Sequence, residues 1–191
     1  MTLKKMVWLA VGLLLLLSSN LWAQKPDDKF GVIDTIYIEP YKIDGMHWGI
    51  NVSLVNDEEI VAMSIPLALS AGKNRVVADS TIFKGGRADS FKVKMVRVDT
   101  TSQCVTIGLI ADMGVSVPPI PAGKGRIATV FVSSLDGKDI SALKVDTTTT
   151  PPGNNLQLVK QPSDGIIPAV VIKTAGKDAP MEKEAEKPEK K

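Results

Sequence analysis

The sequence predicts an all-β protein, a sandwich or barrel of short antiparallel strands. Apolar and polar residues alternate with a period of two in many short segments, as they do in strands that bury one face. Turns rich in glycine, proline and aspartate separate these segments at roughly even spacing. Between residues 31 and 173 no long stretch has the apolar periodicity of an amphipathic helix. Together these observations favour two packed layers of sheet over any helical architecture.

The clearest strands lie in the middle of the chain. Residues 48–54 alternate cleanly, and Trp48 is in phase with the apolar face, so we expect its ring in the core. Residues 91–98 and 104–111 alternate on either side of a polar turn and predict a hairpin. Residues 127–132 predict another strand, which an Asp-Gly turn ends.

The remaining predicted strands are less regular. Pro66 cannot donate a ladder hydrogen bond, so we expect the strand that contains it to bend, bulge or lie at an edge there. Pro40 is expected to interrupt the first strand, and the proline-rich residues 117–121 to form an extended loop. These remaining strands are residues 31–38, 60–69, 75–83, 140–145, 156–159 and 166–172.

Residues 1–23 are typical of a secretory signal peptide. Lys4 and Lys5 precede an apolar run, and Ala23 is the small residue that a signal peptidase requires. A retained membrane anchor is the alternative, but a spanning helix needs roughly twenty apolar residues and this run is shorter. We therefore expect cleavage, no membrane span afterwards, and a secreted or periplasmic protein. The short basic region and the lack of disulfides favour a bacterial host.

The two ends of the expected mature chain differ from the domain between them. Residues 24–30 are polar and contain Pro26, so we interpret them as a linker to a domain at residues 31–173. From residue 177 onward, five lysines balance five acidic residues and two prolines interrupt any helix. Such a segment buries too little apolar surface to offset its chain entropy, so we expect residues 174–191 to be a disordered charged tail.

Charge and composition exclude several classes of function. The chain has 23 basic and 21 acidic residues, and Lys4 and Lys5 account for the excess. A nearly neutral mature chain gives no electrostatic reason to expect a nucleic acid or an anionic membrane as partner. The single cysteine, Cys104, cannot form an internal disulfide, so packing must stabilise the domain. No motif surrounds Cys104, and we expect a small, half-buried strand residue.

Three stretches of the chain resemble the bacterial cohesin-like β-sandwiches, which are related in architecture to certain carbohydrate-binding modules. They are residues 50–56 with 60–66, residues 79–85, and residues 104–111 with the later strand 125–132. The resemblance implies an antiparallel jelly-roll sandwich of about nine strands, outside the cytoplasm, without catalytic activity. It also implies attachment to a protein or a glycan. The family's partner-contact residues have no recognisable match here, so the resemblance supplies no site residues.

Few side chains in the domain have the chemistry of a catalytic site. His47 is the only histidine, so a histidine triad or a multi-histidine zinc site would depend on it. Asp44 lies close enough in sequence to make His47 a general base, but no motif announces a nucleophile or an oxyanion site. We therefore interpret His47 as a surface or turn residue and expect no enzyme.

The densest acidic group of the domain follows Asn56. Asp57, Glu58 and Glu59 could supply part of the oxygen shell that calcium prefers, which makes calcium the one cofactor to consider. The simpler interpretation is a solvated turn between two strands.

Two functions remain from the sequence. The first is a secreted, non-catalytic protein-interaction or structural module of cohesin-like type. The alternative is a carbohydrate-binding or adhesion module of an extracellular glycan-handling system, for which Tyr37 and Tyr41 are the rings that could stack on a sugar. In both cases the expected partner is a protein or a polysaccharide outside the cytoplasm.

Overall fold

The computed structural model describes residues 26–28, 31–112, 117–160 and 164–173. The predicted signal peptide and the predicted charged tail lie outside these residues, as does part of the predicted linker. Every regular element of the described residues is a strand, as the sequence predicts. None of these residues forms a helix with the length and apolar character needed to cross a membrane.

The described residues form eleven strands, where about nine were expected. In chain order they are β1 (Thr35–Lys42), β2 (His47–Asn56), β3 (Ile60–Ser70), β4 (Val76–Ile82), β5 (Val93–Asp99), β6 (Cys104–Ile110), β7 (Gly123–Ser134), β8 (Lys144–Thr147), β9 (Gln157–Lys160), β10 (Gly165–Ile166) and β11 (Ala169–Ile172).

The strands form two sheets that face each other. The first sheet has five strands in the order β11-β1-β2-β7-β4. The second sheet has six strands, in the order β10-β9-β3-β6-β5 with β8 also paired to β3. Neighbouring strands pair antiparallel, except that β1 pairs with β11 in parallel. The predicted hairpin is confirmed, since β5 and β6 pair from Val93 opposite Ile110 to Asp99 opposite Cys104.

The core lies between the two sheets and is built almost entirely from aliphatic side chains. Alternate residues of β2 and β7 in the first sheet face alternate residues of β3 and β6 in the second. The predicted position of Trp48 is confirmed, because its ring is 3% exposed. Its indole N–H donates to the Ile140 carbonyl oxygen at 3.3 Å, so the one polar atom of the ring has a partner inside the core.

The long strand β3 departs from a simple alternation at two places. Its pairing with β9 shifts register between Ile60 and Ala62, so Ile60 and Met63 both point into the core. A bulge of this kind places two residues opposite one and turns the following side chains to the other face.

Pro66 lies in the middle of β3 rather than at a sheet edge. β9 pairs with β3 up to Ser64, and β8 pairs with it from Leu67, so the two short strands lie end to end on one side of β3. The Pro66 carbonyl oxygen accepts from Thr148 N at 3.2 Å on that side. The missing N–H therefore falls at the junction between β9 and β8, where it costs no ladder bond.

Three of the strand predictions need correction. Pro40 does not interrupt β1 but lies within it, opposite Ile50, on a face that is buried. The single strand predicted at residues 166–172 is two strands in different sheets, with Pro168 between them. The predicted strand at 140–145 begins only at Lys144, because Ile140 is buried beneath Trp48 as part of a loop.

Candidate functional site

Four carboxylates meet at the end of the sandwich where the chain passes from β2 to β3. Asp57 and Glu58 come from the β2–β3 turn, Asp34 immediately precedes β1, and Asp28 lies in the segment before it. One oxygen from each residue lies within 4.8 Å of one from each of the others. We call these four residues the carboxylate cluster.

Backbone N–H groups hold the three aspartates of the cluster in place. Val32 N donates to Asp57 Oδ2 at 2.6 Å, Asp57 N donates to Asp34 Oδ1 at 3.3 Å, and Asp34 N donates to Asp28 Oδ2 at 2.9 Å. Gly31 makes the first of these contacts feasible, because it has φ +69° and a Cβ there would overlap the Asp57 carboxylate.

A lysine holds the fourth carboxylate. Lys160, at the end of β9, donates to Glu58 Oε1 at 2.7 Å, and this bond raises the pKa of the Lys160 ammonium. Each member of the carboxylate cluster thus has one oxygen in a hydrogen bond. The other oxygen of each is buried and has no hydrogen-bond partner among the described residues: Asp28 Oδ1, Asp34 Oδ2, Asp57 Oδ1 and Glu58 Oε2.

Burial and mutual repulsion perturb the protonation of the cluster. Asp34 is 0% exposed, and burial raises its pKa to about 7, with further increases from the charges of Glu58, Asp28 and Asp57. The hydrogen bond from Val32 lowers the pKa of Asp57. The surroundings therefore raise the pKa of one carboxyl group of the cluster, Asp34, and lower that of another, Asp57.

The sequence pointed to only part of this cluster. Asp57 and Glu58 belong to the acidic run that was considered for calcium, but the third member of that run, Glu59, is exposed and lies outside the cluster. Asp28 and Asp34 were not singled out, because they are more than twenty positions away in the chain. The pairing of β1 with β2 brings Asp34 to the turn, and Asp28 is held there by the hydrogen bond from Asp34 N and by the bonds between Asp27 and Ile167.

His47 and Asp44 form an exposed pair at the start of β2. His47 Nδ1 lies 2.8 Å from Asp44 Oδ2, and the two side chains are 50% and 55% exposed. Asp44 also accepts from the backbone N–H groups of Met46 and His47, and the hydrogen bond with the His47 ring is the main cause of its lowered pKa. The pair stabilises the β1–β2 turn. Cys104, by contrast, is buried and its thiol donates to the Ser102 carbonyl oxygen at 3.3 Å.

Tyr37 and Tyr41 lie on the outer face of the first sheet, four residues apart on β1. Tyr41 lies over Gly49, where a Cβ would overlap the ring. With Phe131 of β7, Tyr41 borders an open groove of about 530 Å³ that is also lined by Asn51 and Arg126. Tyr37 is outside the groove, and the Lys173 ammonium lies 5.6 Å from its ring centre.

The outer face of the second sheet is open and largely apolar. Across it, Met95 of β5 lies opposite Gly108 of β6, which lies opposite Ser64 of β3. Ser64 in turn lies opposite Gln157 of β9. The short residues Gly108 and Ser64 leave a shallow depression of about 640 Å³, and Met95 is 59% exposed at its border. We call this surface the β9-β3-β6-β5 face.

Comparison with known proteins relates the chain to cohesin domains through structure alone. No protein-family model and no curated protein matches the sequence. The sixth cohesin of scaffoldin B from Acetivibrio cellulolyticus, solved in complex with a mutant Cel5 dockerin, is similar with a TM-score of 0.57 at 11% identity. The similarity covers 75% of this chain and 99% of that one.

Two further cohesins show the same relationship. A type I cohesin from Clostridium thermocellum, in complex with a dockerin, has a TM-score of 0.55 at 11% identity over 78% of this chain and 94% of that one. A type II cohesin domain from the cellulosome of Acetivibrio cellulolyticus has a TM-score of 0.53 at 12% identity, over 75% and 93%. At such low identity the similarity establishes the architecture: the domain is a cohesin-like β-sandwich.

Proposed function

We propose that this protein is a non-catalytic interaction module that binds a protein partner on the β9-β3-β6-β5 face. The observation that carries this proposal is the open, largely apolar sheet face with an exposed methionine at its border. A sheet face without charged side chains at its centre is suited to a protein interface, because interface cores are depleted of charge and enriched in methionine and arginine.

The expected partner is a folded protein that presents apolar side chains to Met95 and a carboxylate to Arg97. Arg97 is exposed on β5, two residues after Met95 on the same strand, and lies opposite Thr106 of β6. The cohesin–dockerin complexes among the similar structures support this proposal, since two of those cohesins are bound to dockerins. We further propose that the protein acts outside the cytoplasm, because residues 1–23 have the pattern of a signal peptide.

A pair of matched variants tests the proposed face. Met95→Asp introduces a charge on the β9-β3-β6-β5 face, and Val171→Asp introduces one at a 40% exposed position of β11, in the other sheet. Proteins from the culture medium of the host, and purified dockerins, are captured on each variant, and the dissociation constant of each captured protein is then measured by calorimetry. We expect Met95→Asp to weaken binding by at least about tenfold, since burying an unpaired charge in an interface is costly. Equal affinities for both variants would exclude this face.

Carbohydrate binding through the groove of the first sheet is the second candidate. The observation that favours it is Tyr41, whose ring covers Gly49 and borders the groove with Phe131, with the polar Asn51 and Arg126 in the same groove. Such a combination of ring and hydrogen-bonding groups suits a sugar. A glycan array separates the two functions. Glycan binding that is lost in Tyr41→Ala and kept in Tyr37→Ala, whose ring is outside the groove, would establish carbohydrate binding there. An array without signal would leave protein binding as the remaining proposal.

A further inference from the structure

Every member of the carboxylate cluster presents one oxygen that nothing in the described residues satisfies. Asp28 Oδ1, Asp34 Oδ2, Asp57 Oδ1 and Glu58 Oε2 are all buried, and each lacks a hydrogen-bond donor. Buried polar atoms in proteins almost always have a partner, because leaving one unpaired loses the hydration it had in the unfolded chain. Four such atoms converging at one place indicate a missing partner rather than four separate exceptions.

A positively charged partner would satisfy these oxygens. Among the described residues, only Lys160 supplies a positive charge within hydrogen-bonding distance of the four carboxyl groups, on Glu58 Oε1. Arg87 lies near enough to interact with Asp34 electrostatically, but its guanidinium donates to Leu54, Asn56, Gly123 and Pro121 instead. The four unpaired oxygens therefore belong to carboxyl groups that lie together without a donor from the described residues, which is the arrangement that a bound cation relieves.

The backbone keeps the four unpaired oxygens in position. The N–H groups of Val32, Asp57 and Asp34 hold the other oxygen of each aspartate, and the Lys160 ammonium holds that of Glu58. Asp34, which is 0% exposed, cannot turn its unpaired oxygen towards solvent. Such fixed ligands bind a cation without first losing side-chain freedom.

The ligand chemistry selects calcium. The cluster offers carboxylate oxygens, while zinc prefers nitrogen and sulfur ligands in a tetrahedron. Calcium binds oxygens at about 2.3–2.6 Å, so ligands on opposite sides of the ion are about 5 Å apart. One oxygen from each residue lies within 4.8 Å of one from each of the others, which is within this span. Magnesium requires shorter bonds in a near-ideal octahedron, largely filled by water.

We infer that Asp28, Asp34, Asp57 and Glu58 form a calcium site that joins the two sheets at one end of the sandwich. The site takes ligands from the segment before β1 and from the turn that leads from the first sheet into the second. Through Glu58 it is also connected to Lys160 of β9 in the second sheet. The site is independent of the β9-β3-β6-β5 face, and it stabilises the domain whichever partner binds there.

Calorimetric titration of the chelator-treated full chain with calcium chloride tests the inference. We expect one calcium ion per chain with a dissociation constant at or below about 1 mM, as in extracellular calcium modules. A hundredfold excess of calcium over that constant should raise the melting temperature by about 5 °C or more, since the ion binds only the folded chain. Magnesium should bind at least about tenfold more weakly.

Three variants make the test specific. Asp34→Asn removes the carboxyl group of a buried residue. Asp57→Asn removes that of a half-buried residue, and the amide oxygen of the new asparagine can still accept the hydrogen bond from Val32 N. Both should abolish the calcium-dependent rise in melting temperature while the circular-dichroism spectrum stays that of the wild type. If Asp34→Asn does not fold, Asp57→Asn alone decides. Glu59→Gln, the exposed neighbour outside the cluster, should bind calcium as the wild type does.

Two results would overturn the inference. The site does not exist if the wild type shows no saturable binding up to 10 mM calcium, roughly ten times the weakest affinity of known extracellular modules. The assignment of the residues is wrong if Glu59→Gln loses binding while Asp57→Asn retains it. Equal affinities for magnesium and calcium would overturn the choice of calcium.

Discussion

At the scale of single residues, Asp34 couples protonation to folding. Its carboxyl is enclosed by the start of β1 and the β2–β3 turn, and its pKa in the folded chain is about 7 against 3.8 for an ordinary aspartate. Between these two values the folded chain holds a proton that the unfolded chain has released. Stability at a fixed calcium level therefore depends on pH through this residue.

We predict that the calcium-free protein becomes less stable as pH rises from 5 to 8. The folded-state pKa of Asp34 is raised, so its contribution to stability is fully present below the unfolded value of 3.8 and is lost as pH rises through about 7. The charged groups that face Asp34 are Asp28, Asp57, Glu58, Lys160 and Arg87. Urea unfolding in a chelator measures the effect, and Asp34→Asn should lack this part of the pH dependence. Identical pH profiles for the two proteins would contradict the prediction.

The sequence could identify only the local half of this cluster. Asp57 and Glu58 are adjacent in one acidic turn, so their proximity is visible from the chain itself. Asp34 joins them through the antiparallel pairing of Thr35 with Val55, and Asp28 joins through its hydrogen bond from Asp34 N. No local pattern encodes either contact. The same reason explains why Glu59 was grouped with the other acids. Sequence adjacency does not show which side of a turn a side chain occupies.

At the scale of strands, β11 shows how the two ends of the domain meet. This short strand is at the edge of the first sheet and pairs with β1 in parallel, from Thr35 opposite Ala169 to Ile38 opposite Ile172. Ala169 N donates to the Asp34 carbonyl oxygen at 2.8 Å, and Lys173 N donates to that of Ile38 at 2.9 Å. The N–H groups of alternate residues therefore point towards β1, and those between them point to the open edge.

We predict that Ala169→Pro destabilises the domain by about 1–3 kcal/mol, because it leaves the Asp34 carbonyl without its donor. Ile172→Pro is the matched control, since the N–H of Ile172 faces the open edge and proline is tolerated there. Equilibrium denaturation of both variants provides the comparison. An equal loss of stability in the two variants would show that β11 does not pair as described.

Strand class was predictable from the alternation of apolar residues, but strand boundaries were not. The bulge in β3 moves Ile60 and Met63 to the same face, and alternation alone assigned them to opposite faces. The segment 166–172 is apolar throughout, although β10 and β11 belong to different sheets. Ile166 is buried and Val170 packs against the core, while Val171 and Ile172 are 40% exposed. An apolar run therefore does not show how many strands it contains or which of its residues are buried.

At the scale of the whole molecule, packing between the sheets is the source of stability. The chain has one cysteine, and it is unpaired, so no disulfide restrains the unfolded state. The largest fully buried side chains are isoleucines and leucines from both sheets. Aliphatic residues of this kind interlock closely, and removing one leaves a cavity that its neighbours cannot fill.

We predict that Ile65→Ala lowers the free energy of unfolding by about 2–5 kcal/mol, while Ile82→Ala lowers it by less than about 1 kcal/mol. Both residues are strand isoleucines, but Ile65 is 0% exposed between the sheets and Ile82 is 45% exposed on the outer face of the first sheet. Chemical denaturation measures both values. A larger loss for Ile82→Ala would mean that the inner and outer faces have been exchanged.

The junction at Pro66 has a practical consequence for engineering. β8 and β9 each pair with their own half of β3, and the chain between them leaves the sheet after Thr148 and returns at Gln157. Residues 149–153 can therefore change length without moving either half of the ladder, because no strand register passes through them. Grafting an epitope or an affinity tag there would display it at the surface of a domain whose interior is left intact.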